Sequence, residues 1–247
     1  MPAVVAGVEP KSIAEEVGIE KGDIILKIND QPLRDIIDYR YLESDEELTL
    51  HVKKPNGEEW LVEVEKDLDE HLGIEFISPL FDKIKRCANH CVFCFIDQMP
   101  CGMRQTLYTK DDDYRLSFLT GNFVTLTNMR EEDWDRILRY RLSPLYVSVH
   151  TTDPELRCRI LGNRRAGKIM AQLQRLVDAG IRVNCQIVCV PGLNDGEVLT
   201  NTLDDLSQLW PGVQSIAIVP VGLTQYRSEL VELEPWDAAK ARNLLAI

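Results

Sequence analysis

Along residues 1–76, apolar and polar positions alternate in short runs broken by turn residues, and no long helical period appears. Val4-Val5-Ala6-Gly7-Val8 reads as a strand, followed by a turn at Glu9-Pro10-Lys11. A short helix is expected over 12–17, with Ser12 as N-cap and Gly18 as its stop. Residues 22–29 (Gly22-Asp23-Ile24-Ile25-Leu26-Lys27-Ile28-Asn29) read as a turn and a half-buried strand. The runs 47–53 and 59–64 alternate around Pro55-Asn56-Gly57, a hairpin signal.

From about residue 77 the pattern changes to strands alternating with helices. A strand is expected over 114–119, with 124–126 continuing or following it. Over 131–142, Trp134, Ile137, Leu138 and Leu142 share a helical face, and Asn128 and Glu131 have capping-box spacing. A strand over 145–149 precedes a helix over 167–179 that buries Ile169, Leu173, Leu176 and Val177 and ends at Gly180. Residues 183–190 form a continuous apolar run, as a parallel strand covered on both faces requires. A helix over 197–210 turns Leu199, Leu203 and Leu206 inward, and 213–221 reads as another buried strand. Pro235 opens a last helix expected to be still running at Ile247. Alternating βα units imply a parallel sheet curling toward a barrel, with chemistry at the C-terminal strand ends. The units fall short of eight, so the expected class is α/β: a partial (βα) barrel over 77–247, truncated at its C-terminus, behind a small, mainly β domain over 1–76.

Composition adds limits. Of 247 residues, 45% are apolar and 28% charged, ordinary for a globular protein. A net charge of −12 argues against nonspecific nucleic-acid binding, which needs a surplus of Lys and Arg. No apolar run approaches the roughly 20 residues of a membrane helix, and the start, Met1-Pro2-Ala3-Val4-Val5, lacks a signal peptide's basic region and apolar core. A cytoplasmic location, without a membrane partner, is the expectation. Seven cysteines, an odd count, do not make a disulfide framework in a reducing compartment.

Three of the cysteines cluster, in Cys87-Ala88-Asn89-His90-Cys91-Val92-Phe93-Cys94. Three thiolates on so short a loop can hold three corners of a [4Fe–4S] cluster and leave the fourth iron open. A zinc site completed by His90 or Cys101, a closed electron-transfer cluster completed by Cys101, and chance spacing are the competing readings. Cys185 and Cys189, four apart on one strand face, read as small core residues rather than ligands. Arg104, Tyr108, Arg115 and the run 111–113 lie in a long connection, a candidate lid or substrate contact; for the Asp run a solvated acidic loop is the favoured reading. His150 reads as a proton relay or substrate contact, and at least as readily as a hydrogen-bonded structural residue.

The Cys87, Cys91, Cys94 spacing, with Phe93 before the last cysteine, resembles the signature of the radical S-adenosylmethionine (SAM) superfamily. That resemblance implies cluster ligation by Cys87, Cys91 and Cys94 and packing of Phe93 beside the SAM adenine. It places Gly121 and Asn122 at a Gly-Gly-Glu-like turn, though without the acidic residue, Ser148 near the ribose or carboxylate, and Gly192 and Asn194 in a Pro-Gly-x-Asn-Asp-like turn near the adenine. Upstream, Val8-Glu9-Pro10-x-Ser12-x-Ala14, Gly18 and Gly22-Asp23-x-Ile25-x-x-Ile28-Asn29 resemble a PDZ domain. Its binding loop comes last, as Leu72-Gly73-Ile74-Glu75-Phe76, an order similar to circularly permuted PDZ domains. Such a module implies either β-augmentation by a partner's C-terminal peptide or a role in packing alone. The strings 94–100 and 111–118 make the whole similar to the PDZ-containing radical SAM proteins of the DUF512 group, whose C-terminal domain is not expected within this chain. The resemblance implies a [4Fe–4S] cluster and SAM as cofactors, reductive SAM cleavage starting hydrogen abstraction from an unknown substrate such as a protein or peptide, and a ferredoxin- or flavodoxin-type electron donor. A non-catalytic iron–sulfur redox sensor or scaffold is the alternative.

Overall fold

The alternating first part of the chain forms one antiparallel sheet. Its strands are β1 (Ala3–Val8), β2 (Ile24–Ile28), β3 (Gln31–Pro32), β4 (Glu47–Lys53), β5 (Glu59–Glu65) and β6 (Ile74–Phe76), in the order β5-β4-β2-β1-β6 with β3 beside β2. The chain is known from a computed structural model that describes residues 2–246. Every second residue of β4 (Leu48, Leu50, Val52) is buried, the two-residue period of a sheet with one covered face. The β4–β5 hairpin turns at Gly57 (φ 93°), with the Lys54 N–H donating to the Glu58 carbonyl. Helix α1 (Ile13–Glu16) is capped by Ser12, as its sequence predicts. Helix α2 (Ile36–Glu43) was not legible as a period; Asp35 starts it by accepting the Ile37 and Asp38 N–H groups at 3.0 and 3.1 Å.

The chain divides into two compact units between Ile84 and Lys85. Phe81 packs in the first core, its ring 4.8 Å from that of Phe76.

The second unit carries a parallel three-stranded sheet, β7 (Leu145–Ser148), β8 (Val183–Cys189) and β9 (Val213–Pro220), in that order. Around it are α3 (Tyr114–Thr120), α4 (Glu131–Tyr140), α5 (Pro154–Leu161), α6 (Ile169–Asp178), α7 (Gly196–Ser207) and α8 (Ala238–Leu245). Four expectations are corrected. Residues 114–119 are helical, because Asp113 caps the first turn and Gly121 (φ 76°) closes the last in the left-handed conformation that favours glycine. Val124 makes only a parallel bridge to Val147. Helix α4 starts after Arg130, whose N–H donates to the Asp133 carboxylate at 3.0 Å, rather than with a box of Asn128 and Glu131. Along β8 burial alternates, with Val183, Cys185, Ile187 and Cys189 buried and Asn184, Gln186 and Val188 half-buried, and β9 is largely exposed as the outer strand. The sheet is therefore not covered on both faces. Continuation of the last helix through Ile247 lies outside the described residues. No described helix is long and apolar enough to cross a membrane.

Candidate cluster-binding site

The cysteine loop is held by the end of α5. The N–H groups of His90 and Val92 donate to the Leu161 and Ile160 carbonyls at 2.8 and 2.9 Å, satisfying acceptors that a helix C-terminus otherwise leaves open. This close approach requires glycine at 162. Its φ is 58°, and a Cβ there would sit 2.7 Å from the His90 carbonyl oxygen. On the other side, the Cys87 N–H donates to the Lys110 carbonyl at 3.0 Å. Gln98, fully buried, ties the loop's far end to the segment after β9: its Nε2 donates to the Phe93 and Gly222 carbonyls, and its Oε1 accepts the Thr224 N–H.

Held this way, Cys87, Cys91 and Cys94 border one cavity of about 410 Å³. Its other walls include Phe93, Lys110, Thr125 and Ser148, with Gln186 and Val188 from the half-buried face of β8 and Pro220 from the end of β9. All three thiols are half-buried and free. Burial, then the neighbouring Cys87 and Cys94 thiolates, pushes the Cys91 thiol up to about 12. Three crowded thiols that oppose one another's ionisation are a donor set that suits positively charged iron. Among the described residues no three His, Cys, Asp or Glu side chains converge tightly enough to hold a metal ion. A single zinc needs its sulfur donors about 2.3 Å from one point, whereas a cluster takes thiolates at different irons. The three thiols around a common cavity fit the latter. His90 and Cys101 are exposed and do not border the cavity.

Of the SAM-contact residues expected from sequence, Phe93 and Ser148 line the cavity and Gly121, Asn122, Gly192 and Asn194 do not. Asn122 donates to Asp111 at 3.0 Å, and the Gly192 N–H donates to Asp195 at 2.9 Å. Asn194 is fully buried and joins two strand ends: it accepts the Val190 N–H and donates to the His150 and Val188 carbonyls. Cys185 and Cys189 are core residues, 1% and 0% exposed.

Sequence reasoning missed a polar frame behind Cys87. Asn89 Nδ2 donates to Thr125 Oγ1 at 2.8 Å and lies 3.4 Å from Cys87 Sγ, while its Oδ1 accepts from Thr127 and Asn163. Thr125 in turn donates its N–H and hydroxyl to Asp112, each at 2.6 Å. The acidic run is thus no solvated loop: Asp112 and Asp113 are buried, and Asp113 pairs with Arg115 at 2.7 Å.

His150 (φ 67°) is 4% exposed, packs edge-on against Phe93 with ring centroids 4.8 Å apart, and accepts the Val188 N–H at Nδ1. Burial, then Arg157, lowers its pKa from 6.5 to about 3. The unfolded chain therefore takes up a proton near pH 6.5 that the folded chain takes only near 3. Stability should fall as pH drops below 6.5, by up to about 1.4 kcal/mol per pH unit. His150→Gln should remove that slope from urea unfolding of the cluster-free protein; an unchanged slope would assign it to other groups.

Residues 66–216 match the family model described as a radical SAM-like domain, and residues 4–54 match that of the PDZ domain. No curated protein matches. Among solved structures, SuiB of Streptococcus suis is similar at 11% identity and TM-score 0.41, over 50% of this chain and 27% of that one. The chain thus spans about a quarter of SuiB's length. A radical SAM methyltransferase from Sphaerobacter thermophilus is similar at 14% identity and TM-score 0.37, over 97% of this chain and 78% of that one.

Proposed function

This chain belongs to the radical SAM-like domain family, and from that premise we propose that it is a radical SAM enzyme whose [4Fe–4S] cluster is held by Cys87, Cys91 and Cys94. The observation that carries the proposal is the convergence of these three thiols on one cavity beside the parallel sheet, with Phe93 and Ser148 in its walls. The chemistry such a cluster supplies when bound is one-electron cleavage of the C5′–S bond of SAM, which starts hydrogen abstraction from a substrate. The protein's own part is positional. Phe93, fixed by the His150 ring, offers a flat apolar wall to the adenine, and Ser148 offers a hydroxyl at the end of β7. Lys110 brings a cation to a cavity that otherwise carries thiolates and Asp111, and Phe95 and Ile96 add apolar wall that limits water. Gly121, Asn122, Gly192 and Asn194 act by shaping loops around the site.

The remaining parts of the proposal are a partial barrel over 77–247, a circularly permuted PDZ-like module over 1–76, and membership of the DUF512 group. The pairing of β6 with β1 supports the permuted order. The module docks a protein or peptide partner, a ferredoxin- or flavodoxin-type donor reduces the cluster, and the setting is cytoplasmic. The test is electron paramagnetic resonance of anaerobically reconstituted, dithionite-reduced protein. A [4Fe–4S] signal that changes when SAM is added is expected; a signal indifferent to SAM would favour a redox sensor or scaffold.

A further inference from the structure

The loop that would receive a peptide's terminal carboxylate is already filled by the protein's own side chains. In the Leu72-Gly73-Ile74 turn, the Leu72 N–H donates to Glu43 Oε1 at 2.7 Å. The Tyr39 hydroxyl donates to the same Glu43 oxygen at 3.1 Å. Glu43 is 6% exposed and Tyr39 3%, so these contacts are built into the fold. Burial, then Glu43, raises the Tyr39 pKa well above its ordinary value, which keeps the phenol protonated as a donor. The turn has no slack: Gly73 has φ 78°, and a Cβ there would meet Ser12 at 2.4 Å.

Beside this turn lies a groove of about 470 Å³, bordered by Ile36, Tyr39, Arg40 and Glu43 of α2 and by Gly73 and Ile74 at the start of β6. Its rim adds Glu9, Glu70 and His71, the last 3.8 Å from Glu43. An incoming carboxylate would find the Leu72 N–H taken and would face Glu43, Glu9 and Glu70, three carboxylates against Arg40 and His71 in the same lining. The imbalance runs through the whole unit. Residues 1–84 hold 21 acidic against 9 basic side chains, whereas residues 85–247 hold 19 of each, so the entire net charge of −12 lies in the first unit. The groove's remaining backbone capacity is the outer edge of β6, the last strand in the sheet order.

We infer that this module takes an extended, internal, Lys- or Arg-bearing peptide segment by strand addition along β6, and that it does not require a free C-terminus. Glu43 stands in for the terminal carboxylate, Ile36 and Tyr39 supply the apolar floor, and Glu9 and Glu70 receive the cations. The inference rests on the partner-docking part of the proposed function and is independent of cluster chemistry. Its test is therefore run on the full chain without SAM or reductant, so a failure of the SAM reading leaves it untouched.

The probes are two random octapeptide pools, one with free and one with amidated C-termini, passed over the immobilised full chain. Lys- and Arg-bearing sequences should be retained from both pools alike, and added salt should release them. Glu43→Ala, which vacates the anion position, should favour the free-acid pool by about tenfold. Should that variant fail to fold by circular dichroism, Glu9→Gln decides, with an expected loss of about threefold in retention of basic sequences. Selective retention of the free-acid pool by the unmodified chain, enrichment of acidic sequences, or no retention from either pool would overturn the inference.

Discussion

Cys91→Ala should abolish both cluster assembly and SAM cleavage while leaving the first unit folded. Cys91 is the middle cysteine of the loop, and its neighbours His90 and Val92 hang from the last carbonyls of α5. An alanine there keeps those backbone bonds and removes only the sulfur, so lost chemistry will not be lost folding. Two thiolates cannot hold three corners of a cluster. Iron and sulfide per chain should fall to background, 5′-deoxyadenosine formation should fall to the uncatalysed level, and the melting transition of the apo protein should stay within a few degrees. Cys101→Ala is the matching control. Because Cys101 is exposed and does not border the cavity, that variant should keep its iron and its activity within about twofold. Loss of the cluster in Cys101→Ala would point to a closed, four-thiolate electron-transfer site. SAM cleavage surviving in Cys91→Ala would remove the catalytic assignment altogether.

The three clustered cysteines are legible because they are local: a loop of eight residues carries all three, and no long-range contact is needed to read the spacing. The strands β1, β2, β4 and β5 were legible for the same reason, through their two-residue period. What escaped depends on distant partners or on caps. Helix α3 alternates like a strand at Leu116 and Phe118, and only Asp113 and Gly121 at its two ends betray it. The burial of Asp112 depends on Thr125, and the anchoring role of Gln98 depends on Gly222 and Thr224, more than a hundred residues away. From sequence Asn194 reads as a cofactor contact, because Asn in a Pro-Gly turn suits either role. Its amide is in fact spent on His150, Val188 and Val190. The occupation of the Leu72–Ile74 turn was equally hidden, since Glu43 is 29 residues upstream on a helix with no evident period.

Arg157→Met should destabilise the second unit by about 3 kcal/mol or more, the largest stability effect expected of any single change described above. Arg157 is 0% exposed. Its guanidinium donates to the Val149 carbonyl at 2.8 Å, to Ser148 at 2.8 Å, to Thr125 at 3.0 Å and to Ala166 at 2.5 Å. Burial lowers its pKa to about 10, with Asp112 opposing the fall, so the group still carries its charge at neutral pH. Methionine matches much of its volume but removes a donor from four inward carbonyls, and each one left unpaired costs about 1–3 kcal/mol before relaxation. Lysine would do little better, because one ammonium cannot span acceptors spread over the end of β7, the Thr125 segment and the turn before α6. Urea unfolding of the cluster-free protein should show the second unit's transition moving to lower denaturant, with the first unit's unchanged. A shift below about 1 kcal/mol would mean that water or backbone adjustment replaces the guanidinium. The position also matters for the site. Ser148 and Thr125, two of the carbonyls Arg157 holds, form walls of the cysteine cavity, and α5, which carries Arg157, ends in the acceptors that hold the cysteine loop. One buried cation thus fixes the sheet end, the polar frame and the cluster loop to one another, and its loss should lower iron incorporation along with stability.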